Sequence, residues 1–150
     1  MNFRFITSSE KKQIIEKLNE QFGIEELPYL LGETGKEKIR AFSGSFSKDE
    51  ILQLAQIANI EIIGMYIIKR EHGLRLSFDA TQILSKEIKD NIVDITPDQR
   101  EAWLRGEDLD ISAQHGTVLI RQNNDFLGCG KSTGVKIINH VPKERRRRHR

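Results

Sequence analysis

The sequence predicts an α+β protein in two parts, a small N-terminal α/β domain at residues 1–88 and a β-rich C-terminal module at residues 89–150. Three observations predict this. Over the first 84 residues, apolar faces at helical spacing alternate with short β-type runs. A polar stretch, SKEIKDN at residues 85–91, then separates that pattern from the rest. Beyond it the main apolar runs are strand-like, at 117–122 and 135–141, with a glycine-spaced segment carrying Lys131 between them.

Each element has its own signal. Residues 3–6 read as a short lead-in. Ser8 or Ser9 caps a helix whose Ile14, Ile15, Leu18 and Phe22 share one face, and Gly23 stops it. Residues 28–31 and 38–42 are strand candidates, with Gly32, Glu33, Thr34 and Gly35 as turn residues between them. Ser47 and Glu50 have capping-box spacing, and Ile51, Leu54, Ala55 and Ala58 give the buried face of a second helix. Residues 60–68 are rich in β-branched side chains. Glu71, His72 and Gly73 form a turn, and Leu74, Leu76 and Phe78 alternate with Arg75 and Ser77. That alternation predicts a second hairpin with the polar residues on an open face. Asp79 is expected to cap a short turn through Leu84. Ile92, Val93 and Ile95 form a short strand. Thr96, Pro97 and Gln99 then open a helix through Ala102, Trp103 and Leu104 that ends at Gly106.

Composition narrows the function classes. The chain has 150 residues, 37% hydrophobic and 31% charged, as a globular protein does. No apolar run reaches the roughly 18–20 residues of a membrane helix, and none at the N-terminus suits a signal peptide. The expectation is a cytoplasmic protein with no membrane partner. Its single cysteine, Cys129, cannot form an internal disulfide, and His72, His115, His140 and His149 lack ligand spacing. No metal and no cofactor are expected.

The net charge of +2 hides an asymmetry. Residues 143–150 hold six Lys or Arg against one Glu, a charge of +5. The remaining 18 basic and 21 acidic residues give −3. A basic end on a mildly acidic body implies a local polyanion contact.

Catalytic patterns fail individually. Gly128, Cys129, Gly130, Lys131, Ser132 and Thr133 resemble the end of a phosphate loop. The position that needs the first glycine is Asp125, and the following residues read as strand rather than helix. Cys129 has only His115 and His140 nearby in sequence as candidate bases, and a small apolar core residue explains it more simply. No Ser/His/Asp set and no dinucleotide fingerprint is present, so no catalytic residue is assigned and the chain is expected not to be an enzyme. What remains is cationic: Lys131, Lys136, Lys143 and the arginine run at 145–148, suited to phosphate with little sequence choice.

The C-terminal module also resembles a known family. Trp103, Leu104, Arg105, Gly106 and Glu107, then Gly116 with Val118, Leu119 and Ile120, come first. Leu127 to Lys131 and Asn139, His140, Val141, Pro142 and Lys143 follow in order. This arrangement is similar to the PUA-like domain at the C-terminus of Fmu/Sun-type RNA cytosine-5 methyltransferases. It departs from that pattern at Cys129, Ile138 and Val141, where the family favours Trp, Lys and an aromatic. The two-part layout also resembles small ribosome-assembly factors with an α/β domain before a PUA domain.

The resemblance implies a PUA-like β-barrel module that binds structured RNA. The methyltransferase activity does not carry over, because the methyl-donor glycine loop and the Pro-Cys motif are missing. It implies a non-catalytic role in rRNA or tRNA modification or in ribosome biogenesis, with an RNA methyltransferase or ribosomal protein as a further partner. Arg105, Lys131, Lys136, Lys143, Arg145, Arg146, Arg147 and Arg148 would hold phosphates. Asn139 and His140 would read base edges or the 2′-hydroxyl. Gly128 and Gly130 would let the RNA backbone approach closely. The rival expectation is an adaptor that docks on a ribosomal particle or an RNA-modifying enzyme through its N-terminal domain.

Overall fold

The computed structural model describes residues 3–35, 37–42, 46–57, 64–71 and 73–147. Ala58, His72, Arg148 and residues 60–63 of the expected strand lie outside these residues. The chain forms two sheets. The N-terminal sheet has five strands in sequence order, all antiparallel: β1 (Phe3–Phe5), β2 (Leu30–Thr34), β3 (Lys38–Phe42), β4 (Gly64–Arg70) and β5 (Leu74–Leu76). The C-terminal sheet has four: β6 (Ile92–Asp94), β7 (Gly116–Gln122), β8 (Asp125–Ser132) and β9 (Ile137–Asn139). Only β6 and β7 run parallel.

Helix α1 (Ser8–Phe22) covers the inner face of the first sheet. Thr7, rather than Ser8 or Ser9, is its N-cap. Its hydroxyl accepts from the Glu10 N–H at 3.2 Å, and the Glu10 carboxylate reaches back to Thr7. The box closes there because Glu10 is three residues beyond Thr7. Ile14, Leu18 and Phe22 are buried against Ile39, Ile68, Leu74 and Leu76. Gly23 ends the helix at φ 74°, and its N–H donates to the Asn19 carbonyl.

The hairpin of β2 and β3 turns later than its sequence suggests. Gly32, Glu33 and Thr34 lie within β2, and Thr34 pairs with Lys38. Gly32 is in-strand because the rings of Phe3 and Phe42 lie where a side chain would project. The lead-in is strand β1, whose Phe3 and Phe5 stack edge-on with Phe42. Helix α2 (Lys48–Ile57) caps this aromatic patch through Ile51, and Ser47 and Glu50 close the predicted capping box.

Helix α3 (Phe78–Ile83) follows β5. Ser77 caps it by accepting from the Ala80 N–H, and Asp79 lies in the first turn, so the strand stops before Phe78. In the C-terminal part, helix α4 (Pro97–Leu104) starts with the expected box of Thr96 and Gln99. The glycine-spaced segment is the central strand β8, not a loop, which leaves no phosphate-loop geometry there. The last apolar run shortens to β9, with Val135 74% exposed.

The two faces of β7 and β8 enter different cores. Val118, Ile120 and Leu127 pack with Trp103, Leu109, Ile137 and Val141. Leu119, Phe126 and Cys129 point the other way and join Leu76, Ala80, Leu84 and Ile88. One apolar cluster therefore runs across residue 88, and the β-module packs against α3 and β5.

Candidate nucleic-acid interface

Trp103 organises the C-terminal module. It is fully buried, as its place on the helix opened by Thr96 predicts, and its Nε1–H donates to the Leu127 carbonyl at 2.7 Å. The ring lies against Gly130, where an added Cβ would come within 2.7 Å of Trp103 Cη2, Ile137 Cγ2 and the Ile138 carbonyl oxygen. Gly128 is buried too, at φ 84°, and its N–H donates to Thr81 Oγ1 at 3.1 Å beneath the Phe78 ring. Gly130 has no room for an RNA backbone, whereas Gly128 lines the groove between the two sheets. At Gly130 the protein's own chain already makes the close approach.

Asn139 is also taken from the expected reading surface. Its Nδ2 donates to the carbonyls of Trp103 and Glu107 at 2.8 and 2.9 Å, and its Oδ1 accepts from the Val141 N–H at 2.7 Å. Both polar ends are committed to joining α4 to β9. Reading a base would break hydrogen bonds to three backbone groups, and a buried group left unsatisfied costs about 1–3 kcal/mol.

The basic end folds back on the body. After the 3₁₀ turn Lys143–Arg145, Arg145 Nη2 pairs with both Asp79 oxygens at 2.7 Å. Arg146 lays its side chain over Gly106 and donates from Nε to the Val141 carbonyl. Arg147 pairs with Glu101 at 2.9 Å. Arg105 pairs with Glu107 and Lys136 with Asp108. Lys131 and Lys143 are exposed and have no ion pair among the described residues. Exposed pairs of this kind contribute about 0–1 kcal/mol, so phosphate can replace the carboxylates at small cost. Arg145, Arg146 and Arg147 form a docked rim.

Between the two sheets lies a groove lined by Tyr66, Arg75, Phe78, His140, Pro142 and Arg145. Arg75 Nη1 is 2.5 Å from His140 Nδ1, so the imidazole accepts there as the neutral form. Burial holds His140 below its ordinary pKa, and the Arg75 cation and then Lys131 push the same way. Arg145 also stands over the Phe78 ring at 6.0 Å. Cys129 forms part of the wall. It is buried, its thiol bonds to the Leu76 carbonyl at 3.1 Å, and burial pushes its pKa up to about 12. An unactivated thiol of this kind is not a nucleophile. Among the described residues no group of three His, Cys, Asp or Glu could hold a metal, and no helix is long and apolar enough to cross a membrane.

Of the expected site residues, the fold sets Gly128, His140 and Arg145 in the seam groove, with Lys131 close enough to act on His140, and spends Gly130 and Asn139 on packing. Tyr66 and Arg75 were missed. The alternation around Arg75 already placed it on an open face, but no local signal sets it beside His140, 65 residues away.

Comparison with known proteins fits this architecture. No curated protein sequence matches the chain. Among solved structures it is similar to a conserved PUA domain protein from Thermoplasma acidophilum. The TM-score is 0.62 over 95% of both chains at 16% identity, a likeness of fold. Residues 90–147 match the sequence model of the methyltransferase RsmF PUA domain. The chain is therefore an α+β protein whose C-terminal part is a PUA domain, of the RNA-binding type found in RNA-modifying enzymes, resembling the C-terminal domain of Fmu/Sun-type methyltransferases.

Proposed function

We propose that the protein binds structured RNA, ribosomal or transfer, in the cytoplasm, as a non-catalytic factor in RNA modification or ribosome assembly. The observation that carries this reading is the PUA domain at residues 90–147, with Lys131 and Lys143 exposed and without an ion pair among the described residues. Phosphates are held electrostatically, first by the two lysines and then by Arg145 and Arg147 as they exchange carboxylate for phosphate. The buried thiol of Cys129 supports the absence of covalent chemistry.

The test is binding of a labelled RNA hairpin across a salt series. Each lost phosphate contact flattens the log–log slope by about 0.7–0.9. Changing Lys131→Gln and Lys143→Gln together should therefore flatten it by about 1.5 and weaken binding at low salt. Absence of binding by the intact protein at low salt would refute the reading. So would nucleotide hydrolysis or methyl transfer that disappears in Cys129→Ser.

A further inference from the structure

The outer face of the N-terminal sheet, which looks away from α1, carries a charge pattern that folding does not require. Lys38 on β3 lies opposite Lys69 on β4, and Lys69 lies opposite Arg75 on β5. Three basic residues thus stand in one row across adjacent strands, whose backbones lie about 4.8 Å apart. Like charges directly opposite one another destabilise a sheet. Glu71 relieves the row at one end, 3.3 Å from Lys69 and 3.6 Å from Arg75. At the other end the Lys38 ammonium sits 5.4 Å over the Tyr66 ring.

A bulge brings Tyr66 onto the face of this row. The register shifts between Ile39 and Arg40, so that Ile39 opposes Ile68 while Arg40 opposes Tyr66. Ile67 is the extra residue, and Ile67 and Ile68 are both fully buried. Strict alternation would send Tyr66 and Lys69 to opposite faces. With the bulge they share the outer one.

The row is continuous with the PUA domain. Lys38, Tyr66, Lys69 and Arg75 line an open groove of ≈ 970 Å³ whose far wall includes Pro142 and Glu144. Tyr66 and Arg75 also line the seam groove beside His140. Arg75 is thus shared between the sheet and the seam.

We propose that this sheet face is a second nucleic-acid site, taking a single-stranded RNA segment as it leaves the structured RNA held by the PUA domain. The inference rests on that RNA-binding reading and adds the site and the class of ligand. The three cations hold phosphates, and Tyr66 offers its partly exposed ring to a base. An aromatic flanked by cations on an open sheet suits unpaired RNA, whose bases are free to stack, whereas a duplex presents phosphates alone.

The test compares a blunt RNA hairpin with the same hairpin carrying a single-stranded extension of about ten nucleotides. The intact protein should bind the extended RNA more tightly. Changing Lys38→Gln and Lys69→Gln together removes two contacts, which at about 0.1 M salt lowers affinity for the extended RNA about 25-fold and flattens its slope by about 1.4. Binding of the blunt hairpin should stay unchanged. Tyr66→Leu, which keeps apolar bulk but cannot stack, should lower affinity for the extended RNA about tenfold. Lys12→Gln with Lys17→Gln on α1 removes equal charge from the opposite layer and should change neither RNA. If neither RNA binds the intact protein, the RNA-binding reading fails. If the hairpin binds but the extension adds nothing, or the Lys38/Lys69 variant keeps the gain, the sheet site fails alone. Equal competition by poly-glutamate against the extension would assign the face to an acidic protein and overturn the proposal.

Discussion

Replacing Trp103 tests the core of the PUA domain in two separable steps. The side chain is 0% exposed, packs on Gly130 and Ile137, and donates its N–H to the Leu127 carbonyl. Truncating a core aromatic costs about 3–5 kcal/mol. Trp103→Ala should fall near the top of that range, at about 5 kcal/mol, because it also leaves the Leu127 carbonyl without its indole donor. Trp103→Phe keeps most of the apolar contact and removes that donor, for about 2 kcal/mol. Since total stabilities are typically about 5–15 kcal/mol, the alanine variant should be close to unfolding at room temperature. The assay is urea unfolding followed by far-UV circular dichroism, because Trp103 is the only tryptophan and its fluorescence is lost in both variants. A cost below about 2 kcal/mol for Trp103→Ala would refute the packing argument. A Trp103→Phe variant as stable as the parent would refute the contribution of the hydrogen bond alone.

Gly130→Ala should destabilise by about 1–3 kcal/mol by overpacking, since the Ile138 carbonyl at 2.7 Å is backbone and cannot swing away. An unchanged urea midpoint would show that β8 can shift. His140 gives a pH dependence. Its folded pKa lies below the ordinary 6.5 through burial, Arg75 and Lys131, with Glu71 and Asp108 partly opposing. The unfolded chain therefore binds the proton more readily. The resulting stability is complete above 6.5 and declines as pH falls below it, through the depressed folded value. Urea midpoints between about pH 7.5 and about pH 5 should show this loss, and His140→Gln should reduce it.

Local rules settled what local sequence encodes. The capping boxes at Ser47 and Thr96 depend on side chains three residues apart, and both formed as read. Gly23 stopped α1, and Trp103 entered the core together with its neighbour Leu104 on α4. The motif order from Trp103 to Lys143 was enough to identify the PUA domain, because it falls within the residues that the PUA sequence model matches.

What required the tertiary structure was every decision involving register or a distant partner. Gly128, Gly130 and Asn139 looked like ligand contacts because glycine and asparagine suit both close approach and hydrogen bonding. The fold uses those properties on its own Phe78, Trp103 and Glu107. The arginines read only as a basic end, because charge in sequence does not reveal which carboxylates lie opposite. Asp79 and Glu101 meet Arg145 and Arg147 only after the chain has returned across more than 40 residues. Lys38, Lys69 and Arg75 are ordinary charges in sequence. They become one row because β3, β4 and β5 pair in that register, and Tyr66 joins them because a single bulged residue, Ile67, resets the phase of β4; a period-two pattern cannot foretell on which residue a bulge will fall.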